Sequence, residues 1–580
     1  VAASRRKPFW TVDAETDPFK VGRVPQPFIW GLYGGPNEDD YYEFDTAREL
    51  VRFLESKEHL VYAHNGGKFD YHYMRPWINT GEPISIIAGR LAKFRIGVCE
   101  FRDSMNILPV PLAHFKKDEV DYSIFEPEER DKPHNRETIR KYLRSDCSYL
   151  YELITEHRKE NGVALTQAGA SMRAWSKQSH IKPPRQTAAR YQQYKPYYYG
   201  GRVQCFASGT EKRRFKVIDI NSAYPKAMLS EHPFSVAATH QKRLPPDGEL
   251  HKCLITLKCV ARGCFPFRTG DDPTKGDLYF PYDERTIRRY HVTGYEFITA
   301  LKLDAISQIH IEDVHYFEQG VKFEEFITSN WDRRAAAKKA GNKALDIIVK
   351  LLMNSLYGKF ASDYAKYREY YLAHVDDLLR YLNPAADNWR KLNTGRGEPF
   401  MIDTDWGDER RLICRPIPED KHRFYNIATA ASITGYVRAM LFEALQTVSD
   451  PLYCDTDSIA CVGTGGLALG DGLGEWKVEG EFDEYAIAGK KMYAFHKDGM
   501  PRYNDAGKFE LDHRGDYVHF KVACKGVDLN PDQIAAAAGG KTVLYSPEAP
   551  TYSVKKQGPK FIDRNVKLTA RDIRIVPEEV

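Results

Sequence analysis

The chain has 580 residues, with 84 Lys and Arg against 80 Asp and Glu, a net charge of +4 and 28% charged residues. That length exceeds one ordinary core and calls for several domains, while so balanced a charge does not by itself designate a polyanion partner. No apolar run approaches the roughly 18 residues of a membrane span, and ten scattered cysteines without a Cys-x-x-Cys pair read as reduced intracellular thiols rather than a disulfide framework.

The start, Val1-Ala2-Ala3-Ser4-Arg5-Arg6-Lys7-Pro8, is basic and lacks an apolar signal core, so secretion is not expected, and the missing Met suggests processing. Phe9-Trp10-Thr11-Val12-Asp13-Ala14-Glu15-Thr16 then reads as a strand with two acids on one face. The apolar run Leu60–Ala63 leads into His64-Asn65-Gly66-Gly67-Lys68-Phe69-Asp70. From Glu137 through Glu152 the apolar spacing predicts a helix on which Tyr142 and Asp146 share a face. Four separated acids could be unrelated surface charges. They also match what two-metal hydrolysis of a phosphodiester needs: Asp13, Glu15, Asp70 and Asp146 as ligands and Tyr142 to position the attacking water.

Farther along, Phe215–Pro225 begins as a strand that Pro225 breaks, with Asp219 isolated among aliphatic residues. An unpaired buried aspartate is costly, and a metal-bound one is not. Cys253, Cys259 and Cys264 come nearest to a zinc cluster, but the first two alternate with apolar residues in an expected strand. Trp331 to about Tyr357 reads as one long helix locally weakened by Gly341. Lys343, Lys350 and Tyr357 recur every seven residues along it. Lys350, with Lys338 as a second candidate, suits a triphosphate; Asn354 lies on the same helix, and Tyr357 offers a flat platform for a base pair. Tyr371–Leu382 reads as helix and Asn383–Glu398 as loop. Tyr453-Cys454-Asp455-Thr456-Asp457-Ser458 carries two more acids at i and i+2, which on a strand would point at one spot. An acidic surface turn explains that pair equally well in isolation. The tail is basic through Lys555, Lys556, Lys560, Arg564, Lys567, Arg571 and Arg574, which suits either solvated surface or a duplex backbone.

Taken in order, these segments resemble two sets of family motifs. The amino-terminal set is similar to the three motifs of DEDDy 3'-5' exonucleases, which have an RNase H-like domain. "DINSAYP", "KLLMNSLYGKF" and "YCDTDS" resemble motifs A, B and C of family B DNA polymerases, and in particular the protein-primed, phi29-like subgroup of phages. The resemblance implies that Asp219 and Asp457 hold two Mg2+ ions per active site, with Mn2+ able to substitute, and that Asp455 supports them. It implies Asp13, Glu15, Asp70 and Asp146 as metal ligands of the editing site, and Lys117 as an auxiliary catalytic lysine. Thr16, His64, Asn65, Phe69 and Ser104 would touch the single-stranded 3' end, and Tyr224 would stack under the sugar and exclude a 2'-OH. Tyr199, Gly200 and Gly201 resemble a Tyr-x-Gly-Gly template grip, and Lys491 and Tyr493 a Lys-x-Tyr primer contact. Departures are Gly66-Gly67, one residue longer than the shortest second motif; Met105 in place of a usual Leu; and Ala523 where a lysine is expected, which Lys521 or Lys525 could replace.

The implied fold is a multidomain α/β and α+β chain, an exonuclease domain followed by a right-hand polymerase with two inserts. Its expected divisions are 1–160 exonuclease, 161–228 linker and start of the palm, 229–325 first insert, 326–362 fingers, 363–421 second insert, 422–535 palm and 536–580 thumb. The implied partners are template and primer DNA, dNTPs, a terminal protein as primer and a single-stranded DNA-binding protein, with no membrane and a monomeric enzyme. Its implied home is the cytoplasm of an infected bacterium, with mitochondrial plasmids the other source of related enzymes. A family B polymerase that does not use a terminal protein stays open, as does, further off, a nuclease or a non-catalytic replication factor.

Overall fold

The computed structural model describes residues 7–270, 272–382, 400–512, 514–554 and 560–568. The Asn383–Glu398 loop, and Lys555, Lys556, Arg571 and Arg574 of the basic tail, lie outside these residues.

The amino-terminal part is built on a sheet in which Phe9–Thr16 is the third strand from one edge. It runs parallel to Leu60–Ala63 and antiparallel to Pro27–Tyr33. Leu60–Ala63 in turn lies parallel to Cys99–Asp103. The helix expected over 137–152 extends over Pro133–Asn161, with proline in its first turn, and ends at Gly162 with φ 63°. It docks tightly because Gly31 has no side chain: a Cβ there would lie 2.8 Å from Leu143 Cγ. The Thr11 hydroxyl also donates to the Cys147 carbonyl at 2.7 Å.

The segment read as a helix over Tyr371–Leu382 is mostly not one. Arg368–His374 is a strand, and only Leu378–Leu382 is α-helical. The strand pairs with Pro83–Ile87 at the edge of the amino-terminal sheet and with Arg410–Pro416, completing a ten-stranded sheet. An available edge outweighed local helical spacing, since β preference is largely a matter of what a strand packs against. Tyr370 and Leu372 are buried in the same apolar core as Val12 and Trp30. Val554, from the far end of the chain, is buried there too.

The second large sheet has seven strands, with Gly209–Ile220 between Trp476–Gly489 and Ser458–Gly463. Ile218 and Ile220 pack against Val349, Leu352 and Met353 of one helix and Ile433 and Val437 of another, Ile427–Thr447. The single long helix expected from Trp331 to Tyr357 is in fact two, Glu324–Lys339 and Lys343–Phe360. Gly341 breaks it with φ +68°, and the Asn342 side chain caps the second by accepting from Leu345 N–H at 3.0 Å. Arg334 and Asp346, flanking the turn, pair at 2.7 Å and hold the hairpin together. A four-stranded sheet formed by Thr239–Gln241, Ile306–Tyr316, Cys253–Ala261 and Arg288–Thr293 lies between these elements in sequence. Cys253, Cys259 and Cys264 are buried free thiols of its core. Among the described residues, no helix is long and apolar enough to cross a membrane.

Candidate active sites

In the amino-terminal sheet, Asp13 and Glu15 share a face of Phe9–Thr16, Asp70 opens the short helix Asp70–Tyr73, and Asp146 projects from Pro133–Asn161. The four converge. Burial, then repulsion from Asp70, Glu15 and Asp146, holds the Asp13 carboxyl well above its ordinary range. Glu15 is pushed to about 8 by burial and by Asp146, and Asp70 to about 7, chiefly by burial. Burial raises Asp146 to about 6 against the pull of Lys117, whose Nζ is 3.9 Å away. Burial alone would depress the Lys117 ammonium, but Asp146, Tyr122 and Asp13 outweigh it and leave it raised. Glu15 Oε1 and Asp146 Oδ1 are buried with no hydrogen-bond partner among the described residues. Crowded, desolvated carboxylates with spare lone pairs fit divalent cations. Among the described residues, no three His, Cys, Asp or Glu side chains already form a closed metal cage.

Tyr142 is buried, and its hydroxyl shares a 3.0 Å hydrogen bond with Tyr122. Burial and the Asp146 charge push the phenol far up, so it stays protonated. Phe69 packs edge-on against Phe19 and Tyr552. Asn65 is exposed with φ 64° and accepts from Arg90 at 2.9 Å. Thr16 donates only to the neighbouring Asp17 carbonyl. Ser104 and His64 are also tied to the protein itself. Ser104 is fully buried and donates to the Ala63 carbonyl at 3.1 Å. His64 has both ring nitrogens engaged, with Ser104 Oγ and the Val110 carbonyl, each at 2.9 Å. This pair braces the turn from beneath.

At the second site, Asp455 and Asp457 are not two residues of one strand. The strand Ser449–Asp455 ends at the first acid and Ser458–Gly463 starts after the second. Thr456, with φ 60°, makes the turn between them. A tight hairpin, not strand alternation, therefore separates their directions. Lys491 Nζ lies 2.8 and 2.7 Å from the two Asp455 oxygens. Ser458 is paired with Asp219 across the sheet, which brings Asp457 beside Asp219. Burial and then Asp457 raise Asp219 to about 7, opposed by Lys521 and Lys350. Burial and then Asp455 raise Asp457 to about 6.

Tyr224 and Tyr357 stack with centroids 4.1 Å apart and planes 14° from parallel. Burial raises both phenols, and the Asp457 charge adds to it. Asn354 Nδ2 donates to the Lys350 carbonyl at 3.0 Å. Lys338, on the other helix of the hairpin, is close enough to Asp471 to hold that carboxyl down after Lys477. Tyr493 is buried and stacks on Phe495 at 4.2 Å. Tyr199 is buried and Gly200 exposed, while a Cβ on Gly201 would come 2.5 Å from Thr456 Oγ1.

Sequence reasoning missed Glu479, whose charge acts on Asp219, Asp457 and Tyr493 and which pairs with Lys521. It sits at a β-bulge in Trp476–Gly489, where the register shifts between Val478, paired with Ile218, and Gly480, paired with Val217; Gly480 is the one signal the sequence carried. Of the two lysines near Ala523, Lys521 is the one that acts on Asp219.

Comparison with known proteins bears on the whole chain. The family described as DNA polymerase type B, organellar and viral, matches residues 114–388. The DNA-directed DNA polymerase of Enterobacteria phage PRD1 is 32% identical over 589 residues, covering 97% of each chain. The DNA polymerase of Bacillus phage phi29 is 23% identical over 571 residues, covering 86% of this chain and 89% of that one. The solved structure of phi29 DNA polymerase complexed with primer-template DNA and incoming nucleotide substrates shares the fold, with a TM-score of 0.68 at 16% identity, covering 97% of this chain and 100% of that one. Similarity of this extent to the PRD1 enzyme makes the chain a DNA-directed DNA polymerase that belongs to the phi29-like branch of the organellar and viral type B family.

Proposed function

We propose that the chain copies a DNA template at the Asp219–Asp457 site and trims 3' ends at the Asp13–Glu15–Asp70–Asp146 site. The observation that carries this reading is the meeting of Asp219, Asp457 and the Tyr224–Tyr357 stack, contributed by segments far apart in sequence.

Enzymes of this family use divalent metal ions, generally Mg2+. Here Asp219 and Asp457 would hold them for synthesis, and the four amino-terminal acids for editing. Bound, such ions supply charge neutralisation at phosphoryl oxygens and promote ionisation of the attacking hydroxyl or water. In synthesis the primer 3'-OH attacks the alpha phosphate and pyrophosphate leaves. Lys350 and Lys338 bind the triphosphate, and the Tyr357 ring backs the nascent base pair. Tyr224 occupies the space a 2'-OH would need. Lys491 neutralises Asp455, leaving Asp457 as the metal-facing carboxylate of the turn, and Tyr493 lies two residues beyond Lys491, on the strand Met492–Lys497. In editing, Tyr142 orients the water that attacks the terminal phosphodiester, and the departing 3' oxygen stays on the shortened strand. Lys117 balances the charge of Asp146. Asn65, Phe69 and Thr16 line the approach of the single strand.

The named complexes of the phi29 enzyme with primer-template DNA and nucleotide support the same partners here, and the phage relatives support action in an infected host cell. With Mg2+ and a 5'-labelled primer-template, the purified chain should extend the primer when dNTPs are present and shorten it when they are not. Extension without shortening would remove the editing assignment. Priming by a terminal protein and strand displacement belong to the same proposal. They are tested by covalent dNMP transfer to a candidate terminal protein on an unprimed linear template, and by extension around a primed circle past its own 5' end. Initiation without any protein-linked dNMP would favour a polymerase that extends nucleic-acid primers only.

A further inference from the structure

The loop of residues 17–26 leads from the strand Phe9–Thr16, which carries Asp13 and Glu15, to its neighbour Pro27–Tyr33. Its ends and its tip are all tied down. Asp17 is buried, and its carboxylate accepts from Arg130 Nη1 at 2.7 Å and from the Gln26 N–H at 3.1 Å. At the tip, Gly22 has φ 79° and the Arg23 N–H donates to the Lys20 carbonyl at 3.0 Å, a tight turn that glycine makes without steric cost. Both cations of that turn meet one carboxylate. Arg23 Nη1 donates to Glu126 Oε2 at 2.7 Å, and Lys20 Nζ pairs with Glu126 Oε1. Farther along, the Pro25 carbonyl accepts from the Tyr73 hydroxyl.

This braced loop holds out an aromatic ring. Phe19 is 46% exposed and meets Phe69 with centroids 5.6 Å apart and planes 77° from parallel. Phe69 in turn rests against the buried Tyr552, 5.5 Å away. It is thus set between a covered ring and an open one, one residue before Asp70 of the four-acid site. An exposed phenylalanine standing alone on a surface is ordinary. Here the ion pairs keep the loop from folding inward over its own ring, and that ring prolongs the wall that Phe69 starts. A flat apolar face held beside a carboxylate site matches the π-face of an unpaired base. Bases within a duplex have theirs covered by their neighbours.

We propose that Phe19 is a stacking platform for one unpaired base of the strand that enters the Asp13–Glu15–Asp70–Asp146 site. It is a binding residue: it adds affinity for single-stranded DNA and does not touch the reacting phosphodiester. This rests on reading that site as a 3'-5' exonuclease.

The test follows the shortening of a single-stranded oligonucleotide by the full chain with Mg2+. The strand is either intact or carries one abasic nucleotide, moved stepwise from the 3' end. Phe19→Ala should raise the KM for the intact strand about tenfold, the loss of one base–aromatic stack, with kcat within about twofold. Primer extension with dNTPs and the melting temperature should match the unaltered chain. In that chain an abasic nucleotide at one position should raise the KM about tenfold. In Phe19→Ala the same position should carry no penalty, because both changes remove one contact. Phe19→Trp should keep the original KM and the penalty. Should Phe19→Ala melt early, Phe19→Leu decides, since it keeps apolar bulk and loses the flat face. An unchanged KM, or abasic penalties equal to those of the unaltered chain at every position, overturns the proposal and leaves the editing reading intact. If the unaltered chain shortens no strand, the editing reading fails and the proposal falls with it.

Discussion

The two carboxylate sites of this chain solve the same electrostatic problem differently. In the amino-terminal site four acids crowd together with one nearby cation, Lys117, and all of them come from residues 13–146 of a single sheet and its helix. The second site also gathers four acids, Asp219, Asp455, Asp457 and Glu479, none of them fully buried, and two are already paired: Asp455 with Lys491, Glu479 with Lys521. Lys350 reaches in from the helical hairpin. The first site is a preassembled, self-repelling pocket that depends on cations. The second is assembled from residues 219–521, on separate strands, turns and a helix.

This contrast can be broken or sharpened at single residues. Tyr224→Val should produce the largest effect short of removing a ligand, relaxing discrimination against ribonucleotides by about 10²-fold. The measurement is the ratio of kcat/KM for dNTP and NTP, and an unchanged ratio would remove the sugar-gate role. In the other site, Tyr142→Phe should slow single-strand degradation by about 10²-fold while extension stays the same. Equal slowing of both would place Tyr142 in structure, not in editing. Lys491→Met uncovers Asp455 and should lower polymerisation by about tenfold, with degradation unaffected. An effect on degradation of the same size would mean that the sites are not separate.

The smallest expected effect is on stability. Without divalent metal, the raised pKa values mean that the folded amino-terminal site binds more protons than the unfolded chain. Its stability is fully present below about pH 4, where these carboxylates titrate when unfolded. It is lost as pH rises through the folded values of about 6 for Asp146, 7 for Asp70 and 8 for Glu15. With a chelator present, the first calorimetric transition should fall by a few degrees (about 2–4 °C) between pH 5.5 and 8.5. Mg2+ should restore it more at the upper end of that range. A transition that rises with pH would contradict the crowding of the four acids.

Much of this was legible in the sequence because the chemistry is compressed into short runs: Asp13-Ala14-Glu15, Asp219 among aliphatic residues, Asp455-Thr456-Asp457. The different directions of Asp455 and Asp457 were not, because they depend on a turn at Thr456 and on Lys491 arriving from the turn between Trp476–Gly489 and Met492–Lys497. Gly341 was visible as a weakness in a helix, yet only the capping by Asn342 turns weakness into a break. The strand Arg368–His374 took its form from the free edge of Pro83–Ile87, nearly three hundred residues earlier in the chain, which local periodicity does not register. Arg438 and Glu296, on the helices Ile427–Thr447 and Gly294–Lys302, belong to none of the motifs read from the sequence. Their partnership exists only once the helices are packed.

The most direct measurement follows one 5'-labelled primer-template with Mg2+ in two variants. Asp457→Ala should lose extension by about 10³-fold or more and still shorten the primer when dNTPs are withheld. Asp13→Ala with Asp70→Ala should lose the shortening and keep the extension. Surviving extension in Asp457→Ala, or loss of both activities in either protein, would contradict two separate sites in one chain.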